Sequence, residues 1–434
     1  MRIVDIIQKK VDRKRYTQED FDAVIDGIVD KSIPDYLITT WLMAIYMNGL
    51  NIDEAYYLTK SMWEHSAYID LTKHGKTVID KHSTGGIGDK VSLILLPIIA
   101  SFGLSVAKIS GRGLGFTGGT IDKLEAVGVK TELNKKQMLN LLNKHQIFIT
   151  TQTEDIAPVD KVLYHLRDVT GTVGDYGLIA SSILSKKFAI LGTHVFLDVK
   201  YGSGAFCPTY FEALKLVKFL RGIAKRMGRK LTIIISGMNQ PLGRCIGNAI
   251  EVLEAQDFLS GNVDYTPDLK QLIYKLAAVI LRTYKDVSFK QAMKLVDKQV
   301  KSGKALEKFY EWISAQGGDI ELLKTRKFFN PKYRYIIKAK RSGFLSFVSN
   351  SAVGMMSTKL GAGRILKTDK IDPQAGLWFH FKSGDRVKKG QAIVDCVSSK
   401  PINAKEIEQE FNYCCKISSI KPIKLAVVRK VIDR

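Results

Sequence analysis

The chain has 434 residues, of which 45% are apolar, and its 66 lysines and arginines against 43 aspartates and glutamates give a formal charge of +23. That length exceeds one ordinary domain, and that composition is typical of a soluble protein with a large core. No apolar stretch reaches the roughly 20 residues of a membrane helix, and the beginning of the chain lacks the apolar segment of a signal peptide. We therefore expect a cytoplasmic protein that spans no membrane.

The positive charge raises the question of a nucleic-acid partner. Most basic residues are lysines scattered along predicted helices, and the strongest cluster is only "KTRKFFNPKYRYIIKAKR" at 324–341. We expect neither a nucleic-acid nor a membrane partner, and we interpret the charge as a solvated surface that also favours anionic substrates. The five cysteines show no metal-ligand spacing and are expected to be free thiols: Cys207, Cys245, Cys396, Cys414 and Cys415.

The first 66 residues predict a helical lobe. In "TQEDFDAVIDGI" a hydroxyl cap precedes apolar residues at i, i+3, i+4 and i+7, the stripe of an amphipathic helix. "IPDYLITTWLMAIYMNG" has Pro34 near its first turn and Asn48-Gly49 as its stop, and Asn51 caps "NIDEAYYLTKSMWEHS". Three helices are therefore expected in sequence before residue 67.

From "TVIDKHS" onward, short apolar strands such as "SVAKIS", "HVFLDVKYG" and "LTIIISG" alternate with helical segments. This alternation predicts a mixed α/β lobe around a mainly parallel sheet, whose strands bind ligands at their carboxyl ends. Three glycine-rich stretches each follow a strand: "KHSTGGIGD", "SGRGLGFTGGT" and "YGSGAF". Because glycines let backbone amides approach a ligand and helix starts favour anions, one cleft with a phosphate site is expected.

The part of the chain after residue 334 predicts a small α+β (hybrid β) module of short strands joined by glycine turns. A biotin or lipoyl carrier is an alternative reading of "GDRVKKGQ", but no lysine lies in the Met-flanked hairpin turn that such carriers modify. We interpret the module as structural. The predicted fold class is thus a helical lobe, a larger α/β lobe with a mainly parallel central sheet, and this C-terminal module.

"DKHSTGGIGDKVS" (80–92) followed by "KISGRGLGFTGGTIDKLE" resembles the pyrimidine nucleoside phosphorylases, including thymidine phosphorylase. "YHLRDVTGTV", "DVKYGSGAF" and "MNQPLGRCIGNAIEV" continue the resemblance, which covers essentially the whole chain. The resemblance implies that inorganic phosphate, the co-substrate, attacks C1′ of a pyrimidine nucleoside and that the base and a pentose 1-phosphate are released. It also implies that the chemistry requires no cofactor. The lobes implied are helical (1–66 and 156–190), α/β (67–155 and 191–334) and C-terminal (335–434).

The resemblance assigns site residues by position. Those implied for phosphate are Lys81, His82, Ser83, Ser92, Lys108, Ile109, Ser110 and Thr120. Those implied for the base or nucleoside are Leu114, Tyr164, Arg167, Val173, Ile179, Ser182, Lys186 and Phe206. Arg167 and Lys186 are expected to donate to the pyrimidine carbonyls as charge builds on the leaving ring. His82 is the candidate proton donor, with a structural role as the alternative; taken alone, Arg167 would instead pair with Asp168.

Some family members bind a potassium ion between the glycine loop and the "PLG" segment. The matching positions are Gly88, Lys90, Leu242, Cys245 and Glu254. Several of these would bind through backbone carbonyls, and only Glu254 offers a side-chain oxygen suited to a hard cation. The implied role of such an ion is to rigidify the phosphate loop.

The family also implies a homodimer formed through the helical lobe and a cleft that closes by hinge motion. The N-terminal helices carry more large apolar side chains than three short helices bury internally, which agrees with a dimer surface, although an intralobe core is the alternative. These side chains are Trp41, Tyr46, Tyr56, Tyr57 and Trp63.

The sequence departs from the family pattern in three places, of which the first two border the base pocket. Phe116 stands where the family usually has His. The stretch "VGDYGLI" (173–179) stands where the family has "V-[DE]-S-[IL]-P-L", and Gly237 stands where the family has an acidic residue. Altered efficiency or base preference is expected. Lys108 stands where deoxyriboside-restricted enzymes carry Met, so we predict cleavage of uridine as well as thymidine and deoxyuridine.

Three alternatives remain open. The first is a thymidine phosphorylase restricted to deoxyribosides, and the second is a degenerate member that binds nucleic acid. The third is a phosphoribosyltransferase of related fold, which would need acidic magnesium ligands near the glycine loops, where Asp89 and Asp122 are the candidates.

Overall fold

The computed structural model describes residues 2–71, 77–113, 118–152, 156–364 and 369–433. The helices are α1 (Ile3–Val11), α2 (Gln18–Val29), α3 (Asp35–Asn48), α4 (Ile52–Glu64), α5 (Val91–Ala100), α6 (Thr120–Glu125), α7 (Lys135–His145), α8 (Pro158–Val169), α9 (Tyr176–Ala189), α10 (Tyr210–Arg226), α11 (Ala249–Leu259), α12 (Pro267–Tyr284), α13 (Phe289–Lys301), α14 (Lys304–Ala315), α15 (Ile320–Lys324), α16 (Asn350–Lys359) and α17 (Ala404–Cys414). The strands are β1 (Ile69–Asp70), β2 (Val78–Ser83), β3 (Ser105–Ile109), β4 (Ile147–Thr150), β5 (Ile190–Leu191), β6 (His194–Tyr201), β7 (Leu231–Gly237), β8 (Cys245–Gly247), β9 (Tyr333–Lys338), β10 (Gly343–Phe347), β11 (Gly376–Phe379), β12 (Arg386–Val387), β13 (Ala392–Ser398), β14 (Cys415–Ser418) and β15 (Val428–Asp433).

The N-terminal helices begin and end where the sequence signals predict. Thr17 and Asn51 each form a capping box at the start of α2 and α4, and Gly49, with φ of 70°, follows the last residue of α3. Helices α8 and α9 pack against α2, α3 and α4, so the second helical stretch joins the first. Their shared apolar core extends to α10 and one face of the central sheet.

The large aromatic side chains of this lobe divide between core and surface. Trp41 is fully buried, so the intralobe alternative is correct for this residue, and Tyr56, Tyr57 and Trp63 are partly buried against the same core. Tyr46 is 41% exposed. The exposed apolar face of α3 also includes Tyr36, Met43 and Met47.

The central sheet has the strand order β15-β7-β6-β2-β3-β4. Its strands are parallel except for β15, which runs antiparallel to β7. The inner strands are buried on both faces, as continuous apolar runs such as "LTIIISG" require, and α5, which is apolar except for Ser92, packs beside β3. The carboxyl ends of β2, β3 and β6 therefore meet at one edge. This confirms the predicted fold class.

The C-terminal part forms two antiparallel sheets, β8-β11-β13-β9 and β12-β10-β14. Strand β8 comes from the α/β segment, and β15 pairs with β7 of the central sheet. A strand from before residue 335, the predicted boundary of the module, thus pairs within a C-terminal sheet, and a strand from after that residue pairs within the central sheet. Among the described residues no helix combines the length and the apolarity needed to cross a bilayer.

Two short strands join the helical and α/β parts of the chain. Strand β1 directly follows the first helical stretch and β5 directly follows the second, and the two pair in parallel, Ile69 with Ile190 and Asp70 with Leu191. Two of the segments that connect the lobes, those that leave the helical stretches, are therefore held side by side.

Candidate active site

The carboxyl ends of β2 and β3, together with α8 and α9, enclose one cleft, which we call the strand-end cleft. The predicted residues that line it are His82, Ser83, Ser92, Lys108, Ser110, Thr120, Tyr164, Arg167, Val173, Ile179, Ser182, Lys186 and Phe206. The predicted phosphate and base residues therefore lie around one space. Leu114 and the departure at Phe116 lie outside the described residues.

The glycine loop, residues 83–90, forms the floor of the phosphate end. Ser83 Oγ donates to Asp89 Oδ2 at 2.5 Å and accepts from the backbone N–H of Gly85 at 3.2 Å. Gly88 has φ of 74°, and a Cβ there would lie 2.5 Å from the carbonyl oxygen of Leu242. Only glycine allows the loop to approach the 242–245 segment this closely.

Asp89 places a carboxylate beside the predicted phosphate residues. Burial alone would raise its pKa, but the ammonium groups of Lys200 and Lys81 and the Ser83 hydroxyl hold that pKa below its ordinary value. Asp89 is therefore ionised at neutral pH. Lys200 also pairs with Asp198 at 2.6 Å, so these two carboxylates offset part of the positive charge in this region.

Lys81 and Ile109, which the resemblance implies for phosphate, are not among the residues that line the strand-end cleft. The Ile109 carbonyl accepts a hydrogen bond from Lys187 Nζ at 2.9 Å, which occupies it within the protein. Lys81 is completely buried, and its Nζ has no hydrogen-bond partner among the described residues. Burial lowers the pKa of Lys81 despite the nearby carboxylates of Asp89 and Asp198.

Lys108 belongs to β3, and its side chain reaches the neighbouring strand β2. Its Nζ donates to the Lys81 carbonyl at 2.8 Å. Burial, followed by the repulsion of Lys187, lowers the pKa of Lys108 well below its ordinary value. The buried cations thus disfavour one another's charged forms, and an anion that enters would relieve this repulsion.

The same cations act on His82. Burial and then the ammonium groups of Lys187, Lys108, Lys186 and Lys81 lower its pKa well below the ordinary value. The imidazole is therefore neutral at neutral pH, and it presents one N–H donor and one acceptor nitrogen. A histidine in this form donates a hydrogen bond more readily than it gives up a proton.

The loop at 110–113 is held by ion pairs on the rim of the cleft. Arg112 donates to Glu125 through both terminal nitrogens, and Asp122 accepts from Arg364 at 3.0 Å and from the Gly113 N–H at 2.5 Å. Asp122 is thus committed to these partners. Within the described ranges no group of three or more His, Cys, Asp or Glu residues is arranged to hold a metal.

The base end is organised by a chain of polar side chains on two helices. Lys186 Nζ on α9 pairs with Asp160 on α8 and donates to Ser182 Oγ at 2.8 Å, one turn away on the same helix. Gln152 donates to the same Asp160 oxygen at 3.0 Å. The Lys186 ammonium also lies 5.7 Å from the centre of the Tyr164 ring. Asp160 therefore fixes the cation that faces the cleft.

Arg167 supports the loop between α8 and α9. Its guanidinium donates to the carbonyls of Thr172 at 3.3 Å, Leu178 at 3.1 Å and Val173 at 2.7 Å. Asp168 is exposed while Arg167 is buried, so the ion pair considered from the sequence is not what holds this arginine. Three of its five N–H donors are used in these contacts, which leaves donors for a ligand.

The predicted potassium site is occupied by a side chain of the protein. Lys90 Nζ donates to the carbonyls of Gly88 at 2.8 Å, Leu242 at 2.8 Å and Cys245 at 3.0 Å, and it pairs with Glu254 Oε2 at 2.7 Å. These four oxygens are the ones expected to hold the ion, and the predicted fifth position supplies the ammonium. The residues present do not fit a potassium ion, because a second cation cannot share these oxygens.

Sequence reasoning missed Asp160 and Gln152 as cleft residues, and it named Asp89 only as a possible metal ligand. Asp160 and Lys186 are 26 positions apart on different helices, so no spacing rule relates them. Asp160 lies in "PVDK" (158–161), where the local sequence does not indicate a partner on α9. Their proximity follows from the packing of α8 against α9.

Models of three protein domains match the chain. They are the glycosyl transferase family helical bundle domain at residues 4–66, the glycosyl transferase family a/b domain at 75–306, and the pyrimidine nucleoside phosphorylase C-terminal domain at 344–418. Anthranilate phosphoribosyltransferase from Thermus thermophilus is a structural neighbour, with a TM-score of 0.58 and 16% identity over 72% of this chain and 99% of that chain. At that identity the likeness shows the fold alone.

Curated relatives match over almost the full length. A thymidine phosphorylase of Mycoplasma genitalium is 48% identical over 93% of this chain and 96% of that protein. One of Mycoplasmoides pirum is 46% identical over 94% and 98%. A pyrimidine-nucleoside phosphorylase of Geobacillus stearothermophilus is 43% identical over 92% and 93%. The chain therefore belongs to the pyrimidine-nucleoside and thymidine phosphorylase family, within the glycosyl transferases that share its helical bundle and a/b domains.

Proposed function

We propose that the protein is a pentosyltransferase that cleaves uridine, thymidine and deoxyuridine with inorganic phosphate. The observation that carries this proposal is one cleft with hydroxyls and cations of two glycine-rich loops at one end and Ser182, Lys186 and Arg167 at the other. A phosphate oxygen attacks C1′, the C1′–N1 bond breaks, and its electron pair moves into the pyrimidine ring. The attacking hydrogen phosphate gives up its proton and the departing base anion takes one up, so the products are the free base and ribose or deoxyribose 1-phosphate.

The phosphate end suits an anion that enters from solution. The hydroxyls of Ser83, Ser92, Ser110 and Thr120 line this end of the cleft. Beneath them the Lys81 ammonium is buried without a hydrogen-bond partner among the described residues, an arrangement that costs free energy unless an anion approaches. We assign Lys81 to the electrostatic attraction of the phosphate through the loop above it.

The base end suits a ring that gains negative charge. Lys186 and the remaining donors of Arg167 are positioned to bond the pyrimidine carbonyls, and such bonds strengthen as the ring takes up the electron pair. Val173, Ile179 and Phe206 supply apolar walls. The neutral His82 imidazole donates a hydrogen bond to a ring carbonyl in this proposal, which replaces the proton delivery expected from the sequence.

We assign the wider sugar range to Lys108. It lines the cleft between the phosphate loop and the base end, and one of its three N–H donors is used by the Lys81 carbonyl. Its other donors can reach a ribose 2′-hydroxyl, which a methionine could not bond. This residue separates the broad activity from one restricted to deoxyribosides.

Direct assays test the function. Purified protein is incubated with uridine, with and without inorganic phosphate, and uracil and ribose 1-phosphate are quantified by chromatography. We expect equimolar products that require phosphate. Uracil release that requires pyrophosphate and magnesium instead would support a phosphoribosyltransferase, and the commitment of Asp122 to Arg364 and Gly113 argues against it.

We also propose that the protein is a homodimer formed through the helical lobe. On α3 the residues Tyr36, Met43 and Met47 lie at i, i+7 and i+11, which is one face, and are 70%, 39% and 72% exposed. Met47→Glu should convert the dimer to a monomer by sedimentation, whereas a charge at Ile423, which is 86% exposed in the C-terminal part of the chain, should not. We further propose that the cleft closes by a hinge motion and that the paired strands β1 and β5 form the hinge.

A further inference from the structure

We propose that the Lys90 ammonium is a built-in monovalent cation that takes the place of a bound potassium ion in this chain. The consequence is that the folded protein and its activity need no potassium. The expectation that folding needs no potassium is independent of the proposed function. Only the expectation for activity rests on the proposed function.

The contacts of Lys90 are those of a fully coordinated cation. The three ammonium protons go to three backbone carbonyls, those of Gly88, Leu242 and Cys245, at 2.8 to 3.0 Å. The Glu254 carboxylate, 2.7 Å away, balances the charge. Lys90 is completely buried. An ammonium has three donors and no more, so the carbonyl set satisfies it completely.

The carbonyls that surround the ammonium come from two separate loops. Besides their contacts with Lys90, the loops are joined by the Leu242 N–H, which donates to the Ile87 carbonyl at 3.0 Å. Glu254 accepts from the backbone N–H groups of Arg244 at 2.6 Å and Cys245 at 2.9 Å. Carbonyl oxygens converging on one point repel one another unless a cation lies between them, so the loops require a positive charge here.

The charge of Lys90 is secured by its surroundings. Burial alone would lower its pKa, but Glu254 and Glu251 raise the pKa of Lys90 above the ordinary value. Glu251 lies 3.9 Å from Lys90 and 3.1 Å from Lys123. Two carboxylates and two ammonium groups thus form a nearly neutral buried cluster, which leaves no net negative charge to attract an additional ion.

The position of Lys90 connects this cluster to the strand-end cleft. Lys90 precedes α5, whose first turn carries Ser92, and it follows Asp89, whose carboxylate accepts from Ser83. Fixing residue 90 against the 242–245 segment therefore fixes the cleft residues on either side of it. A tethered cation supplies this rigidity at every salt composition, whereas a free ion supplies it only when its concentration exceeds its dissociation constant.

The first test uses the unmodified protein. Its melting temperature and its rate of uracil release are measured in potassium chloride and in choline chloride of equal ionic strength, after dialysis against the choline salt. We expect the melting temperature to agree within about 1 °C and the rate within about twofold, since no ion binding is linked to folding. A potassium-dependent rise in the melting temperature of this protein would overturn the proposal, whatever the activity.

The second test removes the ammonium in two ways. Lys90→Ser leaves a cavity lined by the same oxygens, and Lys90→Met fills the space without charge. We expect potassium, but not choline, to raise the melting temperature of Lys90→Ser in a saturable manner, by about 3 °C at a hundredfold excess over the dissociation constant. Lys90→Met should be destabilised in both salts.

A matched control separates this effect from a general loss of charge. Lys359 also pairs with two glutamates, Glu410 at 2.6 Å and Glu406 at 3.3 Å, but at the surface of the C-terminal part. Lys359→Ser should show no potassium response. A Lys90→Ser variant as stable as the unmodified protein in choline chloride would overturn the proposal. If Lys90→Ser does not fold in either salt, the measurement on the unmodified protein decides alone.

Discussion

Two buried lysines lie nine positions apart in the sequence: Lys81 at the phosphate end of the cleft and Lys90 in the cation site behind it. Lys90 donates to three carbonyls and pairs with a carboxylate, whereas Lys81 has no hydrogen-bond partner among the described residues. The first arrangement stabilises the fold by itself. The second is costly in the protein as it stands and becomes favourable when an anion binds. The difference teaches that a structural cation has its hydrogen-bond donors paired within the protein, whereas a functional cation has donors left for a ligand.

Two other cations fall between these extremes. Lys108 has one carbonyl partner at 2.8 Å, and Lys186 has a carboxylate and a hydroxyl partner. Both line the cleft. We therefore expect substitutions to act mainly on activity at Lys81, on both activity and geometry at Lys186 and Lys108, and mainly on stability at Lys90.

The largest effect is expected from Lys81→Met. Losing this ammonium removes attraction to the bound dianion, and we expect kcat/KM for phosphate to fall about a hundredfold, or about 3 kcal/mol. Because the Lys81 ammonium has no hydrogen-bond partner to lose within the described ranges, the melting temperature in phosphate-free buffer should stay unchanged or rise. Steady-state uracil release and thermal unfolding measure the two quantities.

Lys90→Met is the matched substitution for this comparison. It leaves a carboxylate and three carbonyls without their cation, so its melting temperature should fall by about 5 °C or more. If Lys81→Met lowers the melting temperature as much as Lys90→Met, or keeps full activity at subsaturating phosphate, the distinction between the two lysines is wrong.

The next effect tests whether Asp160 positions Lys186. Asp160→Asn retains the shape but weakens a charge-assisted bond, so Lys186 should lose its fixed orientation and kcat should fall about thirtyfold. The KM for phosphate should change little, because phosphate binds at the other end. Asp160→Glu, which keeps the charge, should recover part of kcat; equal losses in both variants would indicate a packing defect rather than a positioning role.

Lys108→Met should separate the substrates. A cationic donor to the 2′-hydroxyl is available to uridine and has no counterpart in thymidine or deoxyuridine, so kcat/KM for uridine should fall about tenfold more than for the deoxyribosides. Competition between uridine and deoxyuridine in one reaction measures the ratio directly. Equal losses for both sugars would remove the basis for the wider range.

The sequence predicted the fold class and most of the cleft because its signals were local or colinear. Thr17, Asn51 and Gly49 marked helix ends by their own backbone chemistry, and glycine loops after strands indicated the edge at which ligands bind. The residues Ser83, Ser110 and Thr120 lie in those loops and line the cleft as expected.

What the sequence could not provide was the direction and the partner of each side chain. The family position of Lys90 suggested a backbone ligand for potassium, but its side chain folds back into the site and becomes the cation. Lys81 is completely buried and the Ile109 carbonyl accepts a hydrogen bond from Lys187, and neither residue lines the cleft. Asp160 was missed because its partner is on another helix. Such pairings depend on packing rather than on spacing.

The smallest expected effect concerns His82, which tests the charge state of the phosphate end without substrate. Its pKa in the folded protein lies well below the ordinary value because of burial and the lysines around it. As the pH falls through about 6.5, the unfolded chain takes up a proton on this histidine while the folded protein does not, so stability is lost on acidification. His82→Gln removes this linkage. Between pH 7.5 and 5.5, the melting temperature of the unmodified protein should therefore fall about 2 °C further than that of the variant. A smaller fall in the unmodified protein would mean that His82 is protonated in the folded state, and that the cations around it are more fully compensated than their contacts show.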